Sequence, residues 1–242
     1  MTALQESLIA LEHNATYDFR RRALMRTLLP YVTGEDVIDI GCGMGFMSEA
    51  LAQRGQKITA VDVEQTYVSY TDQRIAAYTS SVGSVLYKDT QLPFCDACFD
   101  SLISLDVIEH VKDHAGLVRE FARLLRPHGS AILSVPALPL LYGRRDLNHG
   151  HFRRYSKQLL ISTLQQAGLQ VERVVYWNCI GVLPYFVSER LLNREIPDSI
   201  RKGRQSFVRE MTARMLEEWL AIEGQLQSLP YGLSLLVVAR KL

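Results

Sequence analysis

The chain has 242 residues and a formal net charge of +1 at pH 7, with 48% hydrophobic and 22% charged residues. A chain of this length can bury a large core without disulfides or a structural metal. The near-zero charge provides no overall attraction to nucleic acid or anionic membranes, so we expect neither as a partner. The longest apolar stretch, residues 174–188, is too short and interrupted to span a bilayer. The start lacks a secretory leader pattern, which predicts a cytoplasmic location.

Extended and helical patterns alternate along the chain after a first helical segment, residues 3–29. The predicted strands cover residues 37–40, 57–61, 85–87, 99–105, 131–135, 170–176 and 234–239. Helices are predicted at residues 46–54, 64–78, 114–125 and 156–167, and Ser156 is a good N-cap for the last one. Repeated strand–helix units predict an α/β fold whose mostly parallel, seven-stranded sheet carries helices on both faces.

We interpret residues 1–242 as a single domain with four parts. These are an N-terminal helical segment (1–33), a ligand-binding core (34–177), a helical insertion (178–229) and a last strand (230–242). Apolar residues of the insertion recur at helical spacing and predict a buried helix face: Val208, Met211, Met215, Trp219, Ile222 and Leu226. We expect the insertion to form a lid over the ligand side, a homodimer contact, or both.

The strongest chemical signal is the glycine-rich turn after the first strand, which contains Gly41, Gly43 and Gly45. Glycines let the backbone adopt positive φ and pass close to a ligand, and the following helix start favours a carboxylate. A nicotinamide-binding turn needs its third glycine at the position of Phe46, which argues against a dinucleotide. Asp39 can accept a hydrogen bond from an amino group. An amino acid joined to a nucleoside, as in S-adenosylmethionine, fits these features.

Two more acidic residues follow predicted strands on the same edge of the sheet. Asp62 ends the second strand, where an acid can accept hydrogen bonds from both ribose hydroxyls. A helix cap is the alternative role for Asp62. Asp89 follows the third strand and can accept from the exocyclic amine of adenine.

With these motifs in place, residues 36–176 resemble the class I S-adenosylmethionine-dependent methyltransferases, in particular the small-molecule branch that includes the ubiquinone-biosynthesis O-methyltransferases. The resemblance implies a Rossmann-like fold, S-adenosylmethionine as cofactor and S-adenosylhomocysteine as product. The cofactor-binding residues that it implies are Arg21, Asp39, Gly41, Gly43, Gly45, Asp62, Val63, Asp89, Thr90, Leu105 and Asp106. Arg20 and Arg22 are alternatives to Arg21.

Segments after the fourth and fifth strands supply candidates for the acceptor side. His110 is a candidate general base, and a histidine that fixes a loop or caps a helix is an equal alternative. The basic run at residues 142–155 predicts a pocket for an anionic acceptor, against the alternative of a solvated loop. Its candidate substrate contacts are Tyr142, His149, His151, Arg154 and Tyr155, and His151 is the second candidate base.

The sequence gives no firm metal site, and we assign none. Asp106, Glu109 and His110 keep the acid–x–x–Glu–His spacing with which some relatives bind magnesium, so this use is an alternative. Cys95 and Cys98 form a CxxC with no second ligand pair, which favours surface thiols over structural zinc.

The resemblance implies methyl transfer from S-adenosylmethionine to a small-molecule acceptor, with an oxygen nucleophile favoured. The alternatives are N-methylation of a small molecule and a non-catalytic cofactor-binding protein that serves as a partner or scaffold. The intact glycine turn and Asp62 argue against the second alternative. A nucleic-acid methyltransferase would need a basic recognition face or an Asn-Pro-Pro-Tyr-type motif, and the sequence shows neither.

Overall fold

A computed structural model describes residues 15–78, 83–87, 91–191, 207–226 and 229–242. The strands in these residues are β1 (Asp36–Ile40), β2 (Lys57–Asp62), β3 (Gly83–Leu86), β4 (Phe99–Leu105), β5 (Leu125–Pro136), β6 (Leu169–Trp177) and β7 (Ser234–Lys241). They form one seven-stranded sheet in the order β3-β2-β1-β4-β5-β7-β6. All neighbours from β3 to β5 are parallel, and β7 is antiparallel to both β5 and β6. The predicted mostly parallel sheet is confirmed.

The described helices are α1 (Ala15–Leu28), α2 (Phe46–Gln53), α3 (Gln65–Ile75), α4 (His114–Leu124), α5 (Arg144–Asn148), α6 (Lys157–Gln166), α7 (Val182–Phe186) and α8 (Phe207–Gln225). Ser156 caps α6 as predicted, because its Oγ accepts from the backbone N–H of Leu159 at 3.1 Å. The sequence did not predict the short helices α5 and α7, which are too brief to show a helical period. None of the described helices is long and apolar enough to cross a membrane.

Helices cover both faces of the sheet and bury two apolar clusters. Val37 and Ile38 are neighbours in β1 but fall in different clusters, because successive strand side chains point to opposite faces. Ile38 packs in the cluster that α4 and α6 close. Val37 packs in the cluster that α1, α2 and α8 close. Burial on both faces explains why the central strands are continuous apolar runs.

The connection from α4 into β5 differs from the prediction. The Pro-His-Gly run at residues 127–129 predicts a turn before the fifth strand, whereas strand β5 already begins at Leu125. The register of β5 against β4 shifts between Phe99 and Ser101, and His128 has a φ of +63°. A bulge therefore absorbs the predicted turn within the strand. In the preceding loop, the sulfur atoms of Cys95 and Cys98 lie against each other, as a disulfide pair would place them, rather than apart as two separate surface thiols.

The long helix of the insertion, α8, packs on α1 rather than over the ligand side. Arg22 and Arg26 of α1 form ion pairs with Glu217 and Glu218 at 2.7 and 2.6 Å. A side chain at Gly224 would collide with Thr27, so α8 uses a small residue to approach α1 closely.

The apolar stripe predicted as the buried face of α8 is exposed, and that prediction is wrong. Its described side chains are between 43% and 68% exposed: Met211, Met215, Trp219, Ile222 and Leu226. The buried face is instead formed by Leu220, Ala221 and Glu223. The side chain of Val208 lies outside the described residues. A homodimer contact through the exposed stripe stays a prediction.

Candidate active site

The glycine turn lies between β1 and α2, at the carboxyl edge of the parallel strands. Gly41 has a φ of +74°, and a Cβ at this position would collide with the side chain of Val107. Gly45 has a φ of +73°, and a Cβ there would approach the Cα of Thr71 to 2.9 Å. Glycine is therefore required at both positions. The close contact with Val107 also sets the turn beside the segment that follows β4.

Two carboxylates hold the turn in place. Asp39 is buried and accepts from the Ser48 hydroxyl at 2.6 Å. Burial raises the pKa of Asp39 to about 6, and the Ser48 hydrogen bond opposes that shift. Asp62 accepts from the backbone N–H groups of Gly43 at 2.9 Å and Glu64 at 3.0 Å. Each Asp62 oxygen keeps a second lone pair, so the carboxylate can still accept from a ribose hydroxyl.

The other predicted cofactor residues have different outcomes. Val63 follows Asp62 and is 53% exposed. Leu105 packs against the apolar cluster on the α1 side of the sheet. Asp89 and Thr90 lie outside the described residues.

The three arginines considered for the cofactor carboxylate point to different places. Arg21 lies over the ring of Phe46, with its guanidinium carbon 3.4 Å from the ring centroid, directly beside the glycine turn. Arg20 lines two adjoining cavities at the sheet edge, of about 420 and 180 Å³. Arg22 pairs with Glu217 on the far side of α1. The geometry therefore keeps Arg21 and Arg20 as candidates and directs Arg22 away from the site.

Asp106 follows β4 and borders both cavities. Its φ of +55° is unusual for a residue with a side chain, and such strained positions concentrate at functional sites. The Ser134 hydroxyl donates to Asp106 Oδ1 at 2.9 Å, and the Asp106 N–H donates to the Ser134 carbonyl at the same distance. Strand β5 therefore holds Asp106 at the junction between the glycine turn and the larger cavity.

The larger cavity has the size of a small-molecule site, at about 420 Å³. Pro136 and Ser234 line it from the ends of β5 and β7, which meet at the same sheet edge. Pro184 and Tyr185 of α7 line the opposite wall, so the beginning of the insertion lies beside this cavity although α8 does not. The remaining lining side chains are mostly charged or imidazole groups from residues 106–110 and 145–154.

Two hydrogen bonds to backbone carbonyls bring both candidate bases into this cavity. The N–H of Phe152 donates to the carbonyl of Glu109 at 2.8 Å, and the Arg153 guanidinium donates to the carbonyl of Val111 at 2.8 Å. As a result, the rings of His110 and His151 meet edge to face with their centroids 4.5 Å apart. Partial burial and the neighbouring His151 lower the pKa of His110.

Glu109 is the least satisfied group in the cavity. Its side chain is fully buried, and neither carboxylate oxygen has a hydrogen-bond partner among the described residues. Burial, followed by the nearby Asp106, raises its pKa well above the ordinary value. Ligand atoms of Glu109, His110 and His151 lie within 4.8 Å of one another. One carboxylate and two imidazoles form a donor set that suits a divalent transition-metal ion. Such an ion would also provide a partner for the Glu109 carboxylate, which has no hydrogen-bond partner among the described residues.

The sequence patterns did not identify Asp146, which has the most hydrogen-bond partners among the described acids of this site. It is buried on α5, its Oδ1 lies 3.0 Å from Nδ1 of His151, and it accepts from Nε of Arg154 at 2.9 Å. Arg154 was predicted to bind substrate, yet its buried charge is already paired with Asp146. No local pattern distinguishes Asp146 from an ordinary loop aspartate, so only the tertiary contacts reveal it.

Two predicted acceptor contacts lie elsewhere. Tyr155 is fully buried, and its hydroxyl lies 3.0 Å from Nδ1 of His114 and donates to the Ile108 carbonyl at 3.3 Å. The structure thus places Tyr155 in the core beneath the cavity, because a large aromatic ring there fills the space between β5 and α4. The Tyr142 hydroxyl donates to the backbone carbonyl of His151 at 2.7 Å, so it supports the loop. His149 lines the cavity, and its contact with an acceptor stays a prediction.

Comparison with known proteins identifies the family. Residues 38–133 match the methyltransferase domain family. These residues form a class I S-adenosylmethionine-dependent methyltransferase domain. The cofactor of this domain is S-adenosylmethionine, as the glycine turn indicated.

Curated relatives of this chain agree with the domain family. A probable S-adenosylmethionine-dependent methyltransferase of Mycobacterium tuberculosis is 33% identical over 155 residues, covering 63% of this chain and 55% of that protein. A ubiquinone biosynthesis O-methyltransferase of Xanthomonas oryzae pv. oryzae is 33% identical over 160 residues, covering 59% of this chain and 66% of that protein. The match thus spans between 55% and 66% of the length of these two relatives.

Solved structures share the fold of this chain. An S-adenosylmethionine-dependent methyltransferase from Mesorhizobium loti matches 96% of this chain and 100% of its own with a TM-score of 0.61. A geranyl diphosphate methyltransferase in complex with its cofactor matches 91% of this chain and 85% of its own with a TM-score of 0.63. Both are 17% identical in sequence, so they establish the Rossmann-like fold alone.

Proposed function

We propose that the protein methylates an oxygen nucleophile on a small, anionic molecule that binds in the 420 Å³ cavity. The observation that carries this proposal is the meeting of His110 and His151 in a cavity bordered by Asp106, beside the glycine turn. The ubiquinone biosynthesis O-methyltransferase among the relatives supports an oxygen acceptor over nitrogen.

Bound S-adenosylmethionine supplies an electrophilic methyl group on a sulfonium. The residues of the chain position the two reactants and manage one proton. We assign the methionine part to the glycine turn with Asp39, the ribose to Asp62, and the cofactor carboxylate to Arg21 or Arg20. A hydroxyl acceptor must lose its proton as the new C–O bond forms, and His151 or His110 accepts it. Much of the acceleration comes from holding the acceptor oxygen in line with the methyl group.

The arginine side chains of the cavity support an anionic acceptor. Arg20 and Arg145 line it, together with the imidazole of His149. Arg145 forms no ion pair with any described residue, so its charge is available to a ligand, in contrast to Arg154. A guanidinium group binds a carboxylate or phosphate through paired hydrogen bonds.

A divalent cation is the second candidate occupant, and the unpaired, buried Glu109 is the observation that favours it. Glu109, His110 and His151 would hold it, and it would supply a Lewis acid that acidifies an acceptor hydroxyl.

A product screen tests the proposal. The protein would be incubated with S-adenosylmethionine and matched acceptors: 3,4-dihydroxybenzoate, catechol and 3,4-diaminobenzoate. Mass spectrometry should find a methyl group only on the hydroxylated molecules, with the carboxylated one preferred. Methylation of the diamine alone would support N-methylation instead, and cofactor binding without any product would support the non-catalytic alternative. A cytoplasmic location, the domain divisions and a homodimer through residues 178–229 stay predictions.

A further inference from the structure

We infer that Asp146 is a positioning residue that holds His151 as the Nδ1–H tautomer and leaves Nε2 as its lone-pair nitrogen. The inferred role of this nitrogen in methyl transfer rests on the proposed function, whereas the tautomer itself does not.

The contacts of Asp146 leave its carboxylate little freedom. Oδ1 lies 3.0 Å from Nδ1 of His151, and both oxygens accept from Nε of Arg154 at 2.9 Å. Oδ2 also accepts from the Gly143 N–H at 3.0 Å and from the Tyr185 hydroxyl at 3.3 Å. Arg154 and the Gly143 N–H can only donate, and the Tyr185 hydroxyl donates to Asp146 as well. The imidazole is the one partner among these that could either donate or accept.

The charge of Asp146 is preserved despite its burial. Both of its oxygens lie 2.9 Å from Nε of the buried Arg154, whose guanidinium is always protonated and needs a carboxylate counter-ion in the interior. An ionised carboxylate only accepts hydrogen bonds. The ring nitrogen 3.0 Å away must therefore carry a proton, which fixes the tautomer of a neutral His151.

The same contact fixes the orientation of the ring. The backbone N–H of His151 donates to the carbonyl of Asp146 at 2.9 Å, so both backbone and side chain of the two residues are joined. His151 lines the cavity and its ring stands edge to face on His110. With Nδ1 committed to Asp146, only Nε2 is left to accept a proton from an acceptor hydroxyl or to coordinate a cation. A carboxylate behind an imidazole serves either use by fixing the tautomer and orienting the ring.

A purely structural role for Asp146, as the counter-ion of Arg154, is the competing interpretation. It predicts that loss of the carboxylate lowers stability without changing which His151 nitrogen is protonated. Tautomer state therefore separates the two interpretations, since stability alone cannot.

Nitrogen NMR of histidine-labelled protein measures this state directly. The chain has six histidines, and a His151→Gln variant identifies the His151 signals. We expect wild-type His151 to be protonated on Nδ1 at pH 8, and Asp146→Asn to give a mixture of both tautomers. Asp113→Asn is the matched control: Asp113 caps α4 through the Gly116 N–H at 2.8 Å and should leave the His151 signals unchanged. With 3,4-dihydroxybenzoate, Asp146→Asn should lower kcat about 10- to 100-fold at unchanged affinity for S-adenosylhomocysteine.

Wild-type His151 protonated on Nε2 would overturn the inference, even if the Asp146→Asn variant does not fold. An unchanged tautomer in a folded Asp146→Asn protein would overturn it as well. Absence of turnover by the wild-type protein on every acceptor would contradict the proposed function instead, and the NMR result would still decide the role of Asp146.

Discussion

His110 and His151 meet edge to face with their ring centroids 4.5 Å apart, although they follow different strands of the sheet. If one of them removes the acceptor proton, His110→Gln or His151→Gln should lower kcat by roughly 10²- to 10⁴-fold. The affinity for S-adenosylmethionine, measured by calorimetry, should not change. His149→Gln makes the same change at a third cavity histidine, whose ring centroid lies 6.0 Å from that of His151. Normal turnover by all three variants would leave positioning alone, or an already ionised acceptor, as the mechanism.

The ribose assignment predicts that Asp62→Asn weakens binding of S-adenosylhomocysteine by about 1–3 kcal/mol, because ribose hydroxyls lose a charged acceptor in a mostly buried site. Calorimetry should also detect no binding of NAD by the wild-type protein. Asp72→Asn makes the same chemical change in α3, where Asp72 accepts from the Ser84 N–H, and should leave affinity unaltered. Full affinity in a folded Asp62→Asn protein would mean that another acid holds the ribose.

The pKa of about 6 at Asp39 predicts that cofactor affinity depends on pH. A bound ammonium group favours the carboxylate, so the complex has a lower Asp39 pKa than the free protein, and binding releases a proton below neutrality. Affinity for S-adenosylhomocysteine should therefore be full at pH 7.5 and fall as the pH decreases through about 6. Asp39→Asn should bind more weakly at pH 7.5 and lose this slope. A slope that persists in the variant would assign the proton to a different group.

The buried carboxyl of Glu109 predicts a pH-dependent cost in stability. Its folded-state pKa is raised, so the folded protein retains a proton that the unfolded chain releases. Stability from this group is present below the ordinary value of 4.5 and declines as the pH rises towards the folded-state pKa. With a chelator present, the advantage in Tm of Glu109→Gln over wild type should grow between pH 5 and pH 8. Glu35→Gln changes a 79% exposed side chain and should show no such trend.

The exposed stripe of α8 predicts opposite outcomes for two apolar residues of one helix. Met215 is 68% exposed and Leu220 is 1% exposed. Met215→Ala should change the free energy of unfolding by no more than about 0.5 kcal/mol, whereas Leu220→Ala should cost about 2–5 kcal/mol. Denaturant titration of both variants at low protein concentration measures this difference. A large cost at Met215 that appears only at high concentration would indicate that the stripe is buried in a homodimer.

Local sequence patterns were sufficient to predict the sheet and the sheet edge that carries the glycine turn. The alternation of apolar strands with helices predicts a parallel sheet, because each strand must be buried on both faces. Gly41 and Gly45 have positive φ, and a Cβ at either would clash, so their residue type already carried the geometric information. Asp39 and Asp62 stand where strands β1 and β2 place them, beside that turn.

The tertiary structure alone decided the acceptor side and the burial of α8. Helical spacing shows that Met215 and Trp219 share a face with Ile222, but it does not show whether that face meets protein or solvent. Helix α8 packs on α1 with the face that contains Leu220, so that face is the buried one. Likewise, Asp146, Tyr155 and Arg154 differ little in sequence context, and their roles depend on contacts between segments that follow different strands. Such long-range contacts leave no local period in the sequence, whereas backbone conformation and strand burial do.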